Sequence, residues 1–148
     1  MPIILVADDE EDQEELILQR FSGKPFLDGY EFVFARNGPD AWRKIQERPE
    51  IEMALLDINM PGMDGLTLLG KIKDARPEMT SVIVSAYGDM TNIRSAMNKG
   101  AYDFLTKPID LNDLEITLKK SLAQVRQVKE TAKTERENQS LKIKTVEL

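Results

Sequence analysis

The chain has 148 residues, a net charge of −6, 41% apolar residues, and neither cysteine nor histidine. That length and apolar share suit one domain with a true core plus a tail, while no run approaches the roughly 20 apolar residues of a membrane span and no basic-then-apolar leader opens the chain. Disulfides, thiolate or imidazole metal sites, a histidine base and phosphohistidine are all excluded by composition, and the acidic balance disfavours direct nucleic-acid binding.

Ile3-Ile4-Leu5-Val6-Ala7 is an unbroken apolar run, as a strand buried on both faces requires, and it ends at Asp8-Asp9. Glu11 to Phe21 carries Leu16, Ile17 and Phe21 at helical spacing and stops at Ser22-Gly23. After a turn at Pro25 and Asp28-Gly29, Tyr30 to Ala35 predicts the second strand. Asn37-Gly38-Pro39 turns into a helix reaching about Gln46, with Pro39 at its first position. Met53 to Leu56 forms the third strand and delivers Asp57, followed by a loop from Ile58 to Gly65. Asp64 caps the next helix, whose apolar face includes Leu66, Leu69 and Ile72 and which ends at Arg76-Pro77. Ser81 to Val84 is the fourth strand and leads to Ser85. Asp89 caps a helix through Met97, and Gly100 stops it. Ala101 to Thr106 is the fifth strand, followed by Lys107-Pro108, and Asp110 with Asp113 opens the last helix as a capping box.

Strands alternating with helices about every 25 residues imply βαβ units and a parallel sheet. The expected fold is α/β: a flavodoxin-like, doubly wound (βα)5 sheet of order 2-1-3-4-5 with an extended C-terminal helix. In that order the first and third strands lie side by side, which brings Asp8, Asp9 and Asp57 into one crevice. Three carboxylates there repel one another unless a divalent cation sits between them. A hydroxyl from Ser85 and an ammonium from Lys107 suit phosphoryl oxygens. Taken singly, each residue is equally at home as a helix cap, a turn or a surface charge; the coincidence at successive strand ends is what carries weight.

The chain resembles the receiver domain of two-component response regulators over roughly Ile3 to Ala123. The acidic pair Asp8-Asp9, within Val6 to Glu10, matches the metal-binding pair, and Leu55 to Gly65 matches the phosphoacceptor strand and its loop. Ser85-Ala86 matches the switch hydroxyl with its small neighbour, and Phe104 to Pro108 matches the lysine-proline segment. The resemblance implies that Asp57 accepts a phosphoryl group from a histidine kinase or a histidine phosphotransfer protein. It implies Mg²⁺, with Mn²⁺ as the alternative, bound by Asp9 and Asp57, through water by Asp8, and by the backbone carbonyl of Asn59. Lys107 and Ser85 hold the phosphoryl oxygens, and Ala86 leaves them space. Ser85 and Phe104 form the switch, although Phe104 lacks the hydroxyl of the more usual tyrosine; Tyr102 could supply one nearby on the same strand face. Asn59 and Tyr87 flank the approach of hydrolytic water and tune dephosphorylation.

The expected division is a receiver domain over 1–122 and a helical stalk or linker over 123–148. Leu111, Leu114, Leu118, Val125, Val128 and Ala132 form an a/d-like track broken at Ser121, which then meets Glu135, Gln139 and Lys142 before Val146. Two such stalks could pair in a homodimer. The expected function is a phosphorylation-activated switch that changes its helix 4, strand 5 and helix 5 face and drives a further output domain. It would be cytoplasmic, bind no membrane, and catalyse only its own phosphorylation and slow dephosphorylation. The rival is a stand-alone receiver serving as phosphoryl relay, sink or adaptor. An aspartyl phosphatase would need an acid where Asn59 stands, and a nucleotide fold would need a Gly-x-Gly-x-x-Gly after the first strand.

Overall fold

A computed structural model of the chain describes the backbone of residues 1–147 and the side chains through Gln139. Five strands, β1 (Ile3–Ala7), β2 (Glu31–Ala35), β3 (Ile51–Asp57), β4 (Thr80–Ala86) and β5 (Asp103–Lys107), form one sheet in the order β2-β1-β3-β4-β5. Every pairing is parallel. The helices are α1 (Glu11–Phe21), α2 (Gly38–Glu47), α3 (Gly65–Ala75), α4 (Met90–Asn98) and α5 (Leu111–Glu147), with a short 3-10 turn at Pro25–Leu27. This is the expected flavodoxin-like sheet with its long terminal helix.

The continuous apolar strands are explained by two cores, one on each sheet face. Ile3, Leu5 and Ala7 point to the face covered by α2, α3 and α4, where Ile45, Leu68, Leu69 and Ile72 are buried. Ile4 and Val6, out of phase by one residue, face α1 and α5 and meet Ile17, Phe21, Leu114, Leu118 and Leu122. Period-2 alternation therefore feeds both cores, and each fully buried Leu or Ile contributes about 1.5–3 kcal/mol.

Local departures from the expected elements have identifiable causes. Asn37 takes the N-cap of α2 by accepting from the Asp40 amide at 2.7 Å, so Pro39 falls one position inside the first turn. On α3 it is Leu68 that is fully buried beside Leu69 and Ile72, while Leu66 is half-buried at the edge. β4 continues to Ala86, so Ser85 lies within the strand. β5 starts at Asp103 and keeps Lys107 as its last residue, leaving Tyr102 outside the strand. Asp110 caps α5 through the Asn112 and Asp113 amides.

The a/d-like track is not a free seam along its first part. Leu114, Leu118 and Val125 are buried against the domain's own sheet, and Leu122 packs with them where the track skips. Ser121 is tolerated there because its hydroxyl donates to the Thr117 carbonyl at 2.6 Å. The helix crosses the 122/123 junction unbroken, and the exposed Lys129 pairs with Glu52 of β3. Residues 133–139 are exposed. The part of the track at Lys142 and Val146 lies outside the described side chains.

Candidate functional site

The carboxyl ends of β1, β3, β4 and β5 meet because the parallel register aligns them. Ala7 pairs with Leu56, so Asp8 and Asp57 follow side by side. Asp57 pairs with Val84, and Ser85 pairs with Thr106 just before Lys107. The loop after β3 folds tightly over this end. The Gly65 amide donates to the Ile58 carbonyl at 2.9 Å, and a Cβ on Gly65 would collide with the Asp57 carbonyl. Gly62 turns the loop with a φ of 81°, a conformation favouring glycine.

Asp57 is 1% exposed, and its Oδ2 accepts from the Lys107 ammonium at 2.6 Å. Lys107 Nζ also lies 3.5 Å from Glu10 Oε1 and 3.9 Å from Asp8 Oδ2. One half-buried cation thus faces three acids. Burial pulls the Lys107 pKa down, but the hydrogen bond and charge of Asp57, with the charges of Asp8 and Glu10, outweigh it and leave the pKa raised. Asp8 is also raised, by burial above all, against a backbone hydrogen bond from Glu10 and the Lys107 charge. The other Asp57 oxygen accepts from the Asn59 amide at 3.0 Å, and Asp8 Oδ1 accepts from the Glu10 amide at 2.8 Å.

Asp8, Asp9 and Glu10 each offer a carboxylate oxygen within 4.8 Å of the others, one buried and two exposed. Such a set of hard oxygen donors, one of them disfavoured as a bare charge by burial, fits a hard divalent cation. Glu10 adds a carboxylate that the expected ligand set of Asp8, Asp9, Asp57 and Asn59 does not include; the signal for it is its place in an unbroken acidic run.

Ser85 is 1% exposed, yet its hydroxyl donates to Asp89 Oδ2 at 3.2 Å rather than standing unpartnered beside Asp57. Asp89, which the sequence marks only as a helix cap, therefore does more than cap. Phe104 and Tyr102 are 38% and 36% exposed, and Phe104 borders a shallow cavity of about 270 Å³ with Ile116 and Thr117. Tyr87 is 86% exposed and stands in solvent. Among the described residues no helix is long and apolar enough to cross a membrane.

The family model for the response regulator receiver domain matches residues 4–119. The transcriptional regulatory protein ZraR of Klebsiella oxytoca is 34% identical over 123 residues, covering 83% of this chain and 27% of the relative. An NtrX-like response regulator of Rickettsia bellii is 33% identical over 146 residues, which is 97% of this chain and 28% of the relative. The signal receiver domain of an HD domain-containing protein from Pseudomonas fluorescens superposes with a TM-score of 0.77 at 30% identity, covering 87% of this chain and 92% of that one. The chain spans about a quarter of the length of these curated relatives. The acidic crevice, the lysine on Asp57, the strand order and these matches lead to one conclusion: the chain belongs to the response regulator receiver domain family and has a phosphorylation-dependent signalling role.

Proposed function

We propose that Asp57 is the phosphoacceptor of this domain. The observation that carries the reading is the Lys107 ammonium 2.6 Å from a fully buried Asp57 carboxylate, with Asp8 and Glu10 within ion-pair distance of the same lysine. An Asp57 oxygen attacks phosphorus in line. An O–P bond forms as the P–N bond of a phosphohistidine donor breaks, and the carboxylate becomes an acyl phosphate. Lys107 then holds a phosphoryl oxygen as a point charge, and Ser85 donates to another. A divalent cation, Mg²⁺ first and Mn²⁺ as the alternative, supplies charge neutralisation when bound. Asp8, Asp9, Asp57 and the Asn59 carbonyl would hold it, with Glu10 as a further donor.

The domain is then a switch that catalyses only its own phosphorylation and dephosphorylation, with a histidine kinase or phosphotransfer protein as donor. Ser85 and Phe104 carry the change to the face of α4, β5 and α5, and Asn59 and Tyr87 tune hydrolysis. The relatives are several times longer than this chain, which supports an input module working on an output domain over a stand-alone relay or sink. The name of the ZraR relative makes transcriptional control the first output to test. The stalk proper would begin after Lys129, beyond the division at 122/123, because packing on the domain continues to that point.

Incubation with acetyl phosphate and Mg²⁺, followed by intact mass measurement, tests the reading. One labile phosphoryl group is expected, lost in Asp57→Asn and prevented by chelation. Lys107→Ala should impair signalling. Uptake by Asp57→Asn equal to that of the unaltered chain would end the proposal.

A further inference from the structure

The Ser85 hydroxyl carries one proton, so it can donate to one acceptor at a time. That proton goes to Asp89 Oδ2 at 3.2 Å, from a serine buried to 1% exposure within β4. Asp89 divides its oxygens between two duties. Oδ1 accepts from the Asn92 amide at 3.4 Å and so caps α4, while Oδ2 accepts from Ser85 and from Asn92 Nδ2 at 2.7 Å. The Asn92 side-chain hydrogen bond, with smaller help from the Asn92 amide and Ser85, holds the Asp89 carboxyl below the usual range, so it remains a charged acceptor at neutral pH. Asp89 is thus the point at which the strand bearing Ser85 is tied to the first turn of α4.

Resting on the reading of Asp57 as phosphoacceptor, we propose that Asp89 is a positioning residue that competes with the phosphoryl group for the Ser85 hydroxyl. In the resting domain it holds Ser85 toward α4. When a phosphoryl oxygen takes the proton, the link between β4 and α4 is released, while Oδ1 and Asn92 keep the helix capped. The competition penalises phosphoryl binding and converts a local hydrogen-bond exchange into freedom for α4 to move.

Asp89→Ser separates the two duties, since serine is a good N-cap through its single oxygen but lacks the second carboxylate oxygen that accepts from Ser85. The probe is beryllofluoride with Mg²⁺, with bound fluoride read by fluorine NMR and melting temperature as the folding control. Asp89→Ser should bind beryllofluoride roughly three- to tenfold more tightly than the unaltered chain, the value of one ordinary hydrogen bond. In a Ser85→Ala background the same substitution should give no gain, which a purely capping role does not predict. Equal or weaker binding by Asp89→Ser, or an equal gain in both backgrounds, overturns the competition. If the unaltered chain binds no beryllofluoride, the phosphoacceptor reading fails, and the inference falls with it. Asp89→Ala, which loses the cap as well, should gain affinity in the same Ser85-dependent way at a lower melting temperature.

Discussion

At the residue scale, Asp8 is a buried acid beside a second buried acid and shares one half-buried cation with it. Its pKa is raised mainly by burial, so the folded domain holds this proton more tightly than the unfolded chain does. Stability of the metal-free domain therefore falls as pH rises through the Asp8 titration and stays lowered at neutral pH. Asp8→Asn should raise the melting temperature without metal by a few degrees and should abolish the further rise that Mg²⁺ gives the unaltered chain. Paired thermal scans with Mg²⁺ and with chelator check this. A lower melting temperature for Asp8→Asn in chelator would contradict it. The meeting of Asp8, Asp57 and Lys107 was legible at this scale because each ends, or nearly ends, an apolar run. The Ser85–Asp89 hydrogen bond was not, since nothing in the spelling of a helix cap reveals what its second oxygen touches.

At the element scale, α5 reads in sequence as one amphipathic helix whose track could face either the domain or a second stalk. Periodicity gives the stripe and leaves its partner open. Packing assigns the first half: Leu114, Leu118, Leu122 and Val125 cover the sheet face shared with Ile17 and Phe21. Leu122→Ala should cost about 2–5 kcal/mol in denaturant unfolding, as a core truncation does, whereas Lys133→Ala, on the exposed stretch, should stay within about 0.5 kcal/mol. A Leu122→Ala chain as stable as the parent would mean that this part of α5 is peripheral. On α3 the expected apolar face is present: Leu69 and Ile72 are buried, and the half-buried Leu66 packs against their cluster. Residues 66, 68, 69 and 72 all fit a broad apolar stripe, and packing puts Leu68 at its centre with Leu66 at its rim.

For the molecule as a whole, strand order and both cores followed from alternation and chain direction, since right-handed crossovers leave few ways to wind five βα units. Oligomeric state does not follow from one chain's pattern. The helix that leaves the domain after Lys129 is the element by which two copies would meet, and the hypothesis is that phosphorylation alters that pairing. Sedimentation velocity with and without beryllofluoride should give a shift between monomer and dimer or between two dimer shapes. Identical monomer profiles in both states would remove the stalk from the mechanism. The signalling consequences depend on Asp57 carrying the phosphoryl group. Borohydride reduction of the chain after treatment with acetyl phosphate and Mg²⁺ converts an aspartyl phosphate to homoserine, and peptide mass mapping then locates it. The account predicts homoserine at position 57 alone; homoserine at another aspartate, with Asp57 unchanged, would contradict it.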